Sequence, residues 1–84
     1  MIEVRVARLA KVQNGALKAF ADISINDSLL VKGLRVVSGP HGEFVSMPQE
    51  KSSDGKWYDT VRCLNNNVKE QISDIVLYAY QNSD

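Results

Sequence analysis

The first part of the chain alternates between apolar and polar residues in a way that predicts an antiparallel hairpin. Residues 2–12 begin with strict alternation, and the phase slips near Ala7–Arg8, which indicates a β-bulge in this strand. Residues 16–25 alternate throughout and predict a half-buried strand with one apolar face. The segment Gln13-Asn14-Gly15 between them contains Asn-Gly, the strongest short-range hairpin signal.

The run from Leu29 to Val37 is apolar on both of its faces. This pattern is typical of a strand that is covered on both sides. We therefore expect residues 29–37 to be buried on both faces, partly by another subunit. The same run favours a homodimer, because an apolar strand at the edge of a thin sheet would otherwise invite aggregation.

Shorter elements follow this strand. A turn is predicted over residues 39–42, and a short strand over Glu43 to Met47 that should end at Pro48, which cannot donate to a ladder. The polar residues 49–56 predict a loop. A short strand at 57–62 should follow it.

The last segment has the 3.6-residue period of an amphipathic helix. Its apolar stripe comprises Val68, Ile72, Ile75, Val76 and Ala79. Asn66 or Asn67 should cap this helix, and with Asn67 as the cap, Glu70 would complete a capping box. Leu77 and Tyr80 lie beside the stripe, either as a second packing edge or as an exposed contact. These elements predict a single α+β domain over residues 1–84, an antiparallel sheet of four to five strands with one C-terminal helix.

Composition limits the classes of partner that are expected. Ten basic and ten acidic residues cancel, so any nucleic acid or membrane would have to be held by a local patch. Cys63 is the only cysteine, which excludes an intramolecular disulfide and favours a reducing compartment. The first residues do not resemble a signal peptide, and no apolar run approaches the roughly 20 residues that span a bilayer. We expect a cytoplasmic protein with no membrane partner.

The residues that usually carry chemistry do not suggest catalysis here. His41 lies in a turn, where an exposed imidazole is expected, and no partner for acid–base work is indicated. Cys63 should be a packing residue, and one thiol with one histidine cannot form a zinc site. Asp54 fits an Asp54-Gly55 turn, and Asp59 fits a capping or salt-bridging role. We expect no enzymatic activity, no metal or other cofactor, and no small-molecule substrate.

Two groups of side chains could bind a nucleic acid, and each has a structural alternative. Four basic residues could face phosphates, although the acidic residues interleaved with them also fit a mixed, solvated surface; they are Lys51, Lys56, Arg62 and Lys69. Four aromatic residues could stack on unpaired bases or pack in the core or an interface; they are Trp57, Tyr58, Tyr78 and Tyr80.

The residues from Leu34 to Tyr80 follow a specific order. It comprises Leu34-Arg35-Val36-Val37, Gly39, Gly42, Phe44-Val45, Met47-Pro48, Asp54-Gly55, Asp59 and Leu64-Asn65, then Lys69, Ile72, Asp74, Val76-Leu77 and Tyr80 in the helix. This order resembles the stage V sporulation protein G (SpoVG) family. The amino-terminal half matches more loosely, so the resemblance spans nearly the whole chain.

The resemblance implies a small dimeric bacterial regulator that binds DNA, and in some members RNA. It also implies an influence on septation, sporulation or virulence gene expression. Its expected fold is an antiparallel sheet packed by a C-terminal helix, with basic residues in the first turn of that helix implicated in DNA contact.

Carried over to this chain, the resemblance places Lys69 at one of these basic positions. Gln71 stands where members often have Lys or Arg, and Arg62 stands where a histidine is common. Cys63 replaces a usual proline, and Glu50 lies in a pair that is usually more basic. The expected nucleic-acid site comprises Lys69, Arg62, Lys51, Lys56 and Gln71.

A second interpretation comes from a different functional class. The chain could be a protein-interaction or scaffolding module that recruits a partner through an exposed sheet edge and the helix flank at Leu77 and Tyr80. Salt separates the two, because phosphate binding weakens steeply with rising salt and an apolar contact does not.

Overall fold

The computed structural model describes residues 2–83, which form two antiparallel sheets and one helix. The large sheet has the order β1-β2-β3-β4, so each strand pairs with the next one along the chain. Its strands are β1 (Val4–Asn14), β2 (Leu17–Ile25), β3 (Leu29–Gly39) and β4 (Gly42–Ser46). The small sheet pairs β5 (Gln49–Lys51) with β6 (Trp57–Asp59), and the helix is α1 (Asn66–Gln81). The predicted α+β class is confirmed.

The β1–β2 hairpin forms as the alternating pattern predicted. The register between the two strands shifts between Val6 and Arg8, which is the predicted bulge. Asn14 pairs with Leu17 and leaves a two-residue loop, whose first residue, Gly15, has a φ of 63°. Glycine reaches this left-handed conformation at little cost, which explains the hairpin signal at this position.

The core lies on one face of the large sheet, which we call the inner face. Alternate residues of β2 point into it, as predicted, and α1 covers it. The buried core side chains are Val4, Ala19, Ala21, Ile23, Val31, Leu34, Val36, Ile72 and Val76. The opposite surface of the same sheet is called the outer face below.

The expectation that residues 29–37 are buried on both faces is wrong for the described chain. Leu29 and Leu30 are exposed, and the inward positions of β3 are Val31, Leu34 and Val36. Gly33, with a φ of 90°, breaks the alternation, so inward residues have odd numbers before it and even numbers after it. If the alternation is continued through Gly33 without this break, apolar residues fall on both faces of the strand.

The position of β3 also changes the argument for a dimer. This strand lies between β2 and β4 and is therefore not an edge. The homodimer remains a prediction, but it can no longer be derived from an exposed apolar edge at β3.

The segment 49–56 is not simply a polar loop, because Gln49–Lys51 forms β5 and pairs with β6. Within the turn, the Ser52 backbone N–H donates to the Lys56 carbonyl oxygen at 2.8 Å. The β6 strand ends at Asp59, earlier than the predicted residue 62. As predicted, β4 ends just before Pro48, at Ser46.

The helix begins one residue earlier than the predicted caps allow. Asn65 is the N-cap, and its side-chain oxygen accepts the backbone N–H groups of Asn67 at 2.7 Å and Val68 at 3.4 Å. A cap at Asn66 or Asn67 was therefore wrong, and Glu70 lies too far along the helix to complete a capping box.

The apolar stripe of α1 is confirmed, since Ile72 and Val76 are buried against the sheet. Leu77 and Tyr80 are partly buried and pack on the same core, so they form a second packing edge. Across residues 2–83, α1 lacks the length and apolar character that a membrane-spanning helix needs.

Candidate nucleic-acid interface

The predicted cations lie in two pairs, one on the β5–β6 hairpin and one beside the start of α1. All four side chains belong to exposed residues. Within residues 2–83, the only ion pair joins Glu3 and Arg5, so the four cations form no salt bridge there. They are Lys51 and Lys56 on the hairpin, and Arg62 and Lys69 near the helix.

The β5–β6 hairpin places Lys51 and its acidic neighbour Glu50 on opposite sides. Lys51 pairs directly with Trp57, and Glu50 pairs with Tyr58. Because successive residues of a strand point to opposite sides, Lys51 and Trp57 share one side and Glu50 lies on the other. An exposed ammonium group is thereby placed beside an exposed aromatic ring.

The helix start offers fewer free backbone donors than an uncapped helix would. Asn65 already occupies the N–H groups of Asn67 and Val68, and its carbonyl accepts the Lys69 N–H at 3.1 Å. Lys69 is the fourth helical residue and can meet a phosphate only through its ammonium group. No acidic residue lies in the first turn, so the positive end of the helix dipole is not offset there.

Two of the expected site residues, Lys69 and Gln71, are less favourable for phosphate binding than the sequence indicated. Lys69 shares a shallow surface depression with Glu70, whose carboxylate opposes an incoming phosphate. Gln71 is half-buried, and its Nε2 donates to the Ile2 carbonyl oxygen at 3.1 Å. The structure therefore turns Gln71 toward the fold and leaves it apart from the four exposed cations.

Arg62 lies at an apolar groove between the helix start and the inner face, with a volume of about 370 Å³. Apolar lining residues include Ile2, Ile25, Met47, Val61 and Val68. Cys63 packs against the core, as predicted for a packing cysteine, and also lines this groove. Leu64 also lines the groove, and 96% of its surface is exposed. An exposed leucine that continues an apolar groove forms a contiguous apolar patch, and such patches mark interaction sites.

The outer face carries a row of side chains that sequence reasoning missed. In register across the four strands lie Ala10, Phe20, Arg35 and Ser46. The Arg35 guanidinium carbon is 5.9 Å from the centroid of the Phe20 ring and 5.6 Å from that of Trp57. These distances place the cation over both rings. The available signal was an aromatic residue, Phe20, on the otherwise polar face of an alternating strand.

The aromatic candidates separate into two groups. Trp57, Tyr58 and Tyr78 are exposed, with fractions of 54%, 52% and 70%. Tyr80 instead packs on the core, with the Lys11 ammonium 5.1 Å from its ring centroid. Partial burial raises the pKa of Tyr80, and the nearby Glu43 carboxylate raises it further. Tyr80 is therefore more covered than Trp57, Tyr58 and Tyr78.

Two of the remaining polar candidates, His41 and Asp54, occupy the turn positions that the sequence predicted, whereas Asp59 neither caps the helix nor forms a salt bridge within residues 2–83. His41 is exposed in the turn between β3 and β4. Asp59 accepts a hydrogen bond from Gln49 at 2.9 Å. The Ser52 hydroxyl donates to the Asp54 carboxylate in the hairpin turn, and this bond, with the Lys56 backbone N–H, lowers the pKa of Asp54.

Comparison with known proteins gives a consistent result along the chain. The sequence model of the SpoVG family matches residues 1–82. A protein of Archaeoglobus fulgidus named "Putative septation protein SpoVG" is 38% identical over 85 residues, which cover all of both chains. Proteins of the same name are 35% identical in Lachnospira eligens, with 98% of this chain and 91% of that one covered, and 34% identical in Staphylococcus carnosus, with 99% and 78% covered.

Proposed function

Because this chain belongs to the SpoVG family, we propose that it is a regulatory protein that binds nucleic acid, DNA and also RNA. Its relatives carry the name of a septation protein, and we propose the same process for this chain, acting through gene expression and extending to sporulation. In this proposal the protein works in the cytoplasm by binding alone, without catalysis.

The observation that carries the proposal is the set of four exposed cations without a salt bridge among the described residues, Lys51, Lys56, Arg62 and Lys69. Phosphate binding depends on such cations, because each contact releases counterions condensed on the nucleic acid. The net charge of the chain is zero, so the attraction must be local. Glu50 and Glu70 oppose it, and we expect modest affinity.

We further propose that the protein is a homodimer joined at the apolar groove. Leu64 is exposed beside the groove of its own chain. In a two-fold contact, each copy could therefore insert Leu64 into the groove of the other, which is the self-complementary arrangement that such symmetry requires. A dimer would present at least four positive charges from Arg62 and Lys69, two from each copy.

The test is fluorescence anisotropy of a labelled duplex, titrated with the protein at several salt concentrations. With about four phosphates neutralised, log affinity should fall with log salt at a slope of roughly −3 to −4. The double variant Arg62→Ala with Lys69→Ala should bind more weakly on every sequence and show a flatter slope. A variant that changes two cations outside the site, Arg5→Ala with Lys32→Ala, is the control matched in charge.

Two outcomes would contradict this assignment. If the folded Arg62 and Lys69 double variant binds like its control, the helix start is not the site. If the wild-type protein binds neither duplex nor single strand at low salt, nucleic-acid binding itself is wrong.

The second candidate function is a protein-interaction module, and one observation favours it. The helix flank at Leu77 and Tyr80 cannot recruit this partner, because both side chains pack on the core. Exposed Leu64 and the apolar groove beside it offer an apolar contact instead. Binding of a protein partner there should be almost insensitive to salt, since apolar burial does not depend on charge screening.

A further inference from the structure

The outer face of the large sheet presents two exposed aromatic rings, and a third adjoins them. Phe20 is 38% exposed, Phe44 is 49% exposed, and Trp57 extends this surface from the small sheet. Ala19 and Ala21, which flank Phe20, are buried, and Val45 beside Phe44 packs on the core, so Phe20 and Phe44 occupy the side opposite the helix. A folded chain of this size does not need them there for its own core.

The surface beside Phe20 is concave. Phe20 pairs with Ala10 across β1, and the short alanine side chain leaves the aromatic ring uncovered on that side. Arg8, Ala10, Phe20 and Asp22 line a depression of about 200 Å³ at this position. An aromatic floor with a cation at its margin is the combination that unpaired bases bind in single-strand proteins.

Charge on this surface favours an anionic ligand. Three cations lie beside these rings. Arg8 lines the same depression as Phe20, Arg35 lies over Phe20, and Lys51 pairs with Trp57. Asp22 is the cross-strand partner of Arg8 and opposes an anion at that end of the surface, although its carboxylate also accepts the Gly33 backbone N–H at 3.2 Å. Cations alternate with aromatic rings, and this arrangement matches the alternation of phosphates and bases along a strand.

We propose that the outer face, around Phe20, Arg35 and Trp57, binds single-stranded nucleic acid by stacking unpaired bases on its rings. Arg8 and Lys51 would hold the adjoining phosphates, and Arg35 would contact a base through its guanidinium plane. A duplex does not fit this surface, because its bases are stacked on one another and cannot lie against the sheet. The inference rests on the proposed function and adds an unpaired strand as the ligand of a second surface.

A second copy of the chain fits the same face poorly. A two-fold contact centred on this row would place Arg35 and its neighbouring cations opposite the same cations of the partner. Like charges brought together in an interface disfavour that contact. A polyanionic strand meets no such opposition.

Trp57 gives a direct readout because it is the only tryptophan in the chain. We would titrate the full-length protein with a 12-nucleotide oligothymidylate and, separately, with a duplex of the same length, at low salt. Saturable quenching of Trp57 emission by the single strand, stronger than by the duplex, is expected. In the absence of nucleic acid, the emission should not change with protein concentration.

The variant Phe20→Leu removes the ring but keeps an apolar side chain on an exposed position. Losing one stacking platform should weaken oligothymidylate binding about 5- to 150-fold and leave duplex binding unchanged. Tyr78→Leu, which removes an exposed ring from the helix, is the matched control and should change neither. Circular dichroism verifies that both variants fold.

The outcomes separate this inference from the proposed function. If the single strand binds but Phe20→Leu has no effect and Trp57 emission is unquenched, the outer face is not the site, although nucleic-acid binding stands. If neither nucleic acid binds, both proposals fail. If Trp57 emission shifts with protein concentration alone, self-association covers this face and overturns the inference.

Discussion

The side-chain amide of Gln71 donates a hydrogen bond to the backbone carbonyl of Ile2, with 3.1 Å between the nitrogen and the oxygen. This bond ties the helix to the segment that enters β1. Because the amide has a partner inside the fold, Gln71 adds nothing to an exposed phosphate-binding surface in its present form.

Gln71→Lys should nevertheless tighten duplex binding. The longer lysine side chain adds a positive charge that can leave the Ile2 carbonyl and reach a phosphate, so the salt dependence should steepen by roughly one contact. Gln71→Met is the control, because it keeps the length of the side chain but loses the hydrogen bond and adds no charge. It should lower the free energy of unfolding by about 1 kcal/mol and leave affinity unchanged. Equal affinities of the two variants would refute the prediction.

The cap of α1 gives a sharp test of where the helix begins. Asn65→Ala should lower the free energy of unfolding by about 1 kcal/mol, because it leaves two backbone N–H groups without their acceptor. Asn66→Ala and Asn67→Ala should each cost less than about 0.5 kcal/mol. Ile72→Ala, at a buried position, should cost roughly 2–4 kcal/mol. Urea unfolding measures all four, and a larger loss at Asn66 or Asn67 would place the cap elsewhere.

Acid should loosen the turn of the β5–β6 hairpin. The Ser52 hydroxyl and the Lys56 backbone N–H lower the pKa of Asp54 in the folded chain below its usual value of 3.8. A group with a depressed folded pKa stabilises the fold above its unfolded pKa and loses that effect as pH falls through the folded pKa. The contribution is therefore complete at neutral pH.

Titration of the Asp54 carboxyl by nuclear magnetic resonance checks this. Its midpoint should lie below 3.8, and Ser52→Ala should move it upward, since the Ser52 hydroxyl has the largest effect. An unchanged midpoint in Ser52→Ala would show that the hydroxyl does not stabilise the carboxylate.

The proposed dimer predicts a specific loss of association. Light scattering during gel filtration at micromolar concentration should give about twice the chain mass of 9.3 kDa. Leu64→Glu should reduce that mass to one chain, because the carboxylate cannot enter an apolar groove without losing its hydration. Leu29→Glu, at another exposed leucine, is the control and should remain dimeric. A wild-type monomer would rule out the dimer at that concentration.

The elements with a regular pattern were predictable from the sequence, and the failures have physical causes. The β2 strand and the helix stripe were correct because burial on one face imposes a period of two or 3.6. At the helix start, Asn65, Asn66 and Asn67 have the same capping chemistry, so only packing on the sheet selects among them. The polar three-residue strand β5 carries no periodic signal of its own.

The candidate site was predictable in part. Exposure of Lys51, Lys56, Arg62 and Lys69 follows from their charge and their positions at element ends. The contact of Arg35 with Phe20 and Trp57 on the outer face could not be predicted from the local sequence. These residues lie on three separate strands, and strand register decides which side chains meet. The orientation of Gln71 likewise depends on a contact with the other end of the chain.

The strand order of the large sheet affects how the chain folds during its synthesis. Each strand of the β1-β2-β3-β4 meander pairs with the one just made, so the hairpins can close in sequence as the chain emerges. The helix that covers the inner face is translated after all of these strands. Until it arrives, the nascent sheet exposes Ile23, Leu34 and Val36 to water, and a ribosome that stalls before α1 would hold an aggregation-prone intermediate.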